Sequence, residues 1–134
     1  MNARNFPLLR GGQALRVNRV PLDHEPVPPN QAATTAAATT TATVPLGTLA
    51  GTAFGIWELG VGSMQDMEAE EVFVVLAGHG TVVIEPFEGH PARTADLAPG
   101  TVMRLSAGMK TTWTVTEPLR KVYFTLEEDS RATE

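Results

Sequence analysis

Cysteine is absent from this chain of 134 residues, which excludes a disulfide framework, a thiolate nucleophile, an iron–sulfur cluster and a cysteine-based zinc site. Any metal must use His, carboxylate or amide ligands, and there are only three His. Positive charge is also scarce. Ten Lys and Arg against fifteen Asp and Glu leave a net charge of −5, which gives little grip on nucleic acid or anionic lipid. No window approaches the roughly 18 apolar residues of a membrane span, and the start Met1–Pro7 lacks the apolar stretch of a signal peptide. The expectation is a cytoplasmic protein with neither a nucleic-acid nor a membrane partner.

Helix-length apolar patterns are missing too. Instead, 12 Gly and 10 Pro punctuate short segments rich in Val, Thr, Phe and Trp, the rhythm of β-strands joined by turns. Strands are expected at Leu15–Val20, Thr52–Leu59, Glu71–Leu76, Gly80–Pro86, Arg93–Leu97, Thr101–Leu105, Thr111–Thr116 and Lys121–Leu126. With 43% hydrophobic residues, this is one all-β domain of the sandwich or barrel kind. Between Ala32 and Thr43 every residue is Ala or Thr, which offers too little apolar area to offset ordering, so a mobile loop is expected. Residues 1–44 then form an N-terminal arm and 127–134 a charged tail.

The window Gly62–Gly78 carries the most chemistry. If it runs extended, Asp66, Glu68 and Glu70 share one face while Met67, Ala69, Glu71, Phe73 and Val75 share the other. Glu71 thus travels with the apolar set, and a carboxylate facing a core must be paired, hydrogen-bonded, metal-bound or protonated. It is the leading candidate for a binding or catalytic residue. Four acids in six positions also fit a solvated strand edge.

The sequence resembles the cupins, and in particular the small single-domain cupins related to (S)-ureidoglycine aminohydrolase. Glu71 followed by Gly78 matches the second half of the first cupin motif, G-x5-H-x-H-x3,4-E-x6-G. Gly100, Ser106-Ala-Gly108, Thr111 and Val115 echo the second motif. The closer likeness lies in Gly55-Ile-Trp57-Glu58, Val75-Leu-Ala-Gly78 and Gly108-Met-Lys-Thr-Thr-Trp113-Thr-Val115, running on to Tyr123. The resemblance implies a cupin-type β-jelly roll (double-stranded β-helix) over residues 45–126, and a homodimer. An arm bearing Leu15, Val17 and Val20 could cover a strand edge of its own chain or a partner's.

The resemblance also places Gln65 and Met67 at the two histidine ligand positions, Glu71 at the glutamate and Thr111 at the last histidine. One conventional ligand in four is present, which undersupplies a Mn, Fe, Zn or Ni site, so no metal or other cofactor is expected. Asp66 would replace Met67 only after a one-residue register change. His24, His79 and His90 lie in an arm or turns and do not repair the site, although an arm could carry His24 to a barrel mouth. Trp57 and Trp113 read either as core or as pocket walls beside Glu71 and Thr111. Phe73, Val75, Met103, Leu105 and Phe124 would line the same interior. Lys110 is a turn lysine or a cation at the barrel rim.

No nucleophile elbow or phosphate-binding loop is present. Two functions remain. One is a metal-free cupin binding a small molecule through Trp57, Gln65, Met67, Glu71, Met103, Thr111, Trp113 and Phe124. The other is an enzyme acting on a small nitrogen-containing metabolite, either metal-dependent or with Glu71 as general base.

Overall fold

A computed structural model describes residues 8–32 and 39–126. They form eight strands: β1 (Glu25–Pro26), β2 (Thr40–Leu49), β3 (Thr52–Leu59), β4 (Gly62–Met67), β5 (Glu71–Ile84), β6 (Arg93–Leu97), β7 (Val102–Leu105) and β8 (Lys110–Leu126). The only helical pieces among the described residues are two single 3-10 turns, Val17–Arg19 and Pro29–Gln31, so no helix is long and apolar enough to cross a membrane. The all-β expectation holds.

Two long strands organise the molecule. β5 and β8 pair antiparallel along their whole length, with register offsets between Val75 and Gly80 that bend the pair. On one side of the bend the sheet runs β1-β2-β3-β8-β5-β7; on the other it runs β4-β8-β5-β6. The halves fold over one another as a jelly roll. Gly78, at φ +90°, sits at the bend, and a Cβ there would lie 1.9 Å from the Pro118 carbonyl oxygen, so only glycine fits. This is why the expected strand pairs Glu71–Leu76 and Gly80–Pro86, and Thr111–Thr116 and Lys121–Leu126, are each one continuous bent strand.

The main core lies between the halves and includes Leu59, Met64, Phe73, Val82, Leu97, Leu105, Trp113 and Leu119. A second cluster, Val20, Val44, Leu46 and Ile56, lies on the outer face of β2 and β3 beneath Leu9, Leu15, Val17 and Leu22. The arm therefore covers its own barrel. Leu15–Val20 is not a strand: it holds the turn Val17–Arg19, fastened by Arg120, whose Nη1 donates to the carbonyls of Val17 (2.7 Å) and Val20 (2.8 Å). Arg120 Nε also donates to Glu58 Oε2 (2.9 Å), and His24 Nε2 lies 2.6 Å from Glu58 Oε1. Burial alone would raise the Glu58 carboxyl, but Arg120 and His24 outweigh it and hold its pKa below the ordinary value.

The Ala/Thr run departs from the mobile loop expected over Ala32–Thr43. Thr40–Thr43 belong to β2, where Thr41, Ala42 and Thr43 pair with Leu59, Glu58 and Trp57. Cross-strand pairing and burial of Ala42 supply what composition did not reveal. The barrel thus includes β2 from Thr40 rather than starting at residue 45. Residues 33–38 and the expected tail 127–134 lie outside the described residues.

Candidate functional site

One end of the barrel interior opens into a cavity of about 320 Å³, walled by Trp57, Asp66, Glu68, Glu71, Trp113 and Lys121, with Gln31 and Tyr123 at its margins. Each wall residue is delivered by alternation within its own strand. In β8, Thr111, Trp113, Leu119, Lys121 and Tyr123 face inward, while Arg120, Val122 and Phe124 face the arm side. In β3, Gly55 lies opposite Tyr123, and a Cβ at Gly55 would fall 2.6 Å from the Tyr123 hydroxyl oxygen. The bare backbone leaves room for the Tyr123 ring, whose phenol is pushed above its ordinary pKa by burial and by Glu71.

Lys121 was not anticipated as a site residue. It is 4% exposed, and its Nζ lies 2.7 Å from Glu71 Oε2, an ion pair whose contact is not aligned as a hydrogen bond. Three rings surround the ammonium, with centroids 4.5 Å (Trp57), 4.2 Å (Phe73) and 4.8 Å (Trp113) away, so cation–π attraction replaces part of its lost hydration. Glu71 faces inward as expected, and its partner is Lys121. Sequence alone gave no signal for Lys121, because both faces of that part of β8 carry apolar residues, one set for the core and one for the arm.

Glu68 is the second unanticipated residue. The extended reading set it on the face opposite Glu71, yet both point into the cavity. Met64, Asp66 and Glu68 keep strict alternation, and Glu68 N donates to Met109 O (2.8 Å), but the chain turns at Ala69–Glu70 before β5 begins. The turn resets the parity, so the third acid of that face, Glu70, points out to Arg104 (2.8 Å). Met64, buried at 4%, marks the inward parity of β4, whereas Met67 is 62% exposed at the rim.

Glu68 Oε2 accepts from Thr111 Oγ1 (2.6 Å) and lies 3.2 Å from Trp113 Nε1. Burial pushes its pKa from 4.5 up to about 7, against the lowering effect of the Thr111 hydrogen bond and with a smaller push from Asp66. Asp66 is also raised by burial, partly offset by hydrogen bonds from Gln31 Nε2 (2.9 Å) and its neighbour Met67 N (2.9 Å).

The other expected site residues divide. Trp57, Met67, Glu71 and Trp113 line the cavity, and Thr111 reaches it through Glu68. Gln65 is exposed on the opposite face of β4. Met103 packs on the core opposite Phe73 without reaching the cavity. Phe124 is 38% exposed and stacks on Phe54 on the outer face, because it alternates with Lys121 and Tyr123. His24 is tied to Glu58 and Thr40.

A conventional cupin metal does not fit these side chains. Gln65 points away, Met67 is a rim thioether, the Thr111 hydroxyl is committed to Glu68, and Glu71 faces a fixed ammonium that repels a metal cation. Among the described residues, no three His, Asp or Glu side chains converge closely enough to hold an ion.

The family model of the EutQ-like cupin domain matches residues 46–123, more than half of the chain. The chain belongs to the EutQ-like cupin family. Among solved structures, this EutQ-like cupin is similar to the EutQ protein of Clostridium difficile, with 17% identity, a TM-score of 0.60, and 84% of this chain and 85% of that one covered. A putative ethanolamine utilization protein Q from Salmonella typhimurium LT2 gives 16% identity and a TM-score of 0.50 over 69% of this chain and 72% of that one. Fe(II)-HppE with the alternative substrate (S)-1-HPP gives 11% identity and a TM-score of 0.56 over 89% of this chain and 62% of that one. At these identities the likeness is one of fold. No curated protein sequence matches the EutQ-like cupin.

Proposed function

We propose that this EutQ-like cupin is a metal-independent small-molecule-binding protein whose ligand occupies the barrel cavity. The observation that carries the reading is the buried Glu71–Lys121 pair at the wall of an open cavity. Buried ion pairs repay their desolvation poorly as stabilising devices, whereas binding sites retain them beside clefts. At about 320 Å³ the cavity falls at the small end of ligand pockets, which span roughly 300–1,000 Å³. A thermal-shift screen of small amines, ureides, sugars and amino acids tests it, since a ligand of the native state raises the apparent melting temperature. A raised melting temperature that disappears in Trp57→Ala supports the reading; no shift with any class, and no change in Trp fluorescence, overturns it.

One observation favours a second reading, an enzyme acting on a small nitrogen-containing metabolite as the ureidoglycine aminohydrolase resemblance implied. Glu68, with its pKa near 7, is poised to give and take a proton at neutral pH, a role earlier expected of Glu71. Ammonia release from ureides, abolished by Glu68→Gln, is the result that would establish it.

A cytoplasmic homodimer is part of the proposal. The outer face that the arm leaves uncovered carries Val102, Phe124 and Leu126 exposed. Light scattering giving twice 14.3 kDa supports it, and the monomer mass at micromolar concentration refutes it.

A further inference from the structure

The cavity holds three carboxylates and one ammonium, and their pairing is uneven. Lys121 serves Glu71. Asp66 has only neutral hydrogen-bond partners, the Gln31 amide and a backbone N–H, and Glu68 likewise has only the Thr111 hydroxyl and the Trp113 indole, so Lys121 acts on both only through space. Both contacts to Glu68 converge on Oε2. Oε1 accepts no hydrogen bond among the described residues and is not sealed in the protein, although the residue is 7% exposed and lines the cavity. A buried carboxylate oxygen left open toward a pocket is a site for a donor that arrives with the ligand.

The charge of that donor follows from the surroundings. An anion would meet Asp66 and Glu68, neither hydrogen-bonded to a cation, and a neutral molecule would leave Glu68 holding the proton that burial favours, whereas a cation stabilises the ionised form of both. Lys121, held beneath Trp57, Phe73 and Trp113, repels a second cation from its own end and directs it toward Asp66 and Glu68. Building on the binding reading above, we infer that the ligand carries a protonated amine or amidinium group, which donates to Glu68 Oε1 beside Asp66 while the rest of the molecule lies against Trp57 and the rim at Met67.

The test titrates the full chain with four probes of similar size, n-propylammonium, n-propylguanidinium, propionate and propionamide, following the Trp57 and Trp113 indole N–H signals by NMR. The cationic probes are expected to saturate at least about tenfold more tightly than the other two, the gain of one charge-assisted hydrogen bond. Glu68→Gln should remove that preference, Asp66→Asn should reduce it, and Glu70→Gln, outside the cavity, should leave it intact. Spectra of the variants matching those of the parent outside the cavity verify that each is folded. Propionate or propionamide binding as tightly as the cations overturns the cation assignment and leaves the pocket reading standing. Silence from all four, together with a barren thermal-shift screen, overturns both.

Discussion

Lys121 and Glu71 meet diagonally across β8 and β5, because Glu71 pairs in register with Thr125, four residues beyond Lys121, and the long lysine side chain spans the difference. Removing one partner strands a charge among largely buried side chains. Glu71→Gln is expected to cost about 3–5 kcal/mol in denaturant unfolding. Combined with Lys121→Met it should cost less than the two single changes added together, by at least about 1 kcal/mol. Additive losses would show that the two side chains are independently solvated.

Stability should fall as pH rises through the interval set by Glu68. The folded carboxyl holds its proton to about pH 7, while an unfolded one releases it near 4.5, so the native state binds more protons between those values. The contribution is complete below pH 4.5 and lost by about pH 7, a change of up to about 3 kcal/mol at about 1.36 kcal/mol per unit. Asp66, also raised, acts in the same direction. Unfolding free energies measured from pH 4.5 to 8 should therefore decline in the parent protein and flatten in Glu68→Gln.

Arg120 is expected to govern the arm and not the barrel. With Arg120→Met, the Val20 carbonyl loses its donor, the Val17 carbonyl keeps only the Val20 N–H, and Glu58 loses its main cation. Hydrogen exchange should quicken over residues 8–22 while the amides of β5 keep their protection. Loss of protection throughout the sheet would mean that the arm is integral to barrel stability.

At the bend, Gly78→Ala is expected to destabilise the protein by more than about 2 kcal/mol, combining left-handed strain with overlap on the Pro118 carbonyl. Gly89→Ala, also at positive φ but with open space around its Cβ, supplies the control for strain alone. Equal melting temperatures for the two variants would contradict the steric argument.

The strands and site residues differ in how local the causes of their structure are. Arg93–Leu97 and Thr52–Leu59 emerge with their boundaries intact, since each is bounded by clear turn residues. Glu71 was legible because its parity matches Phe73 and Val75. Glu68 and Lys121 were not: one lies just before a turn that resets alternation, and the other sits in a strand apolar on both faces. Thr40–Thr43 acquires strand structure from pairing with β3, a long-range contact that local composition cannot register.

The bend in β5 also constrains how such a chain can vary over time. Its inward residues are odd-numbered at Phe73 and Val75 but even-numbered at Val82 and Ile84, whereas β8 keeps one parity throughout. The segment from Val75 to Gly80 therefore works as a ruler with one extra division. An added residue at the exposed hairpin tip Glu88–His90 would leave both parities unchanged. Gain or loss of a single codon within that ruler would turn half of β5 inside out, expelling either the floor of the core or the carboxylate that faces Lys121.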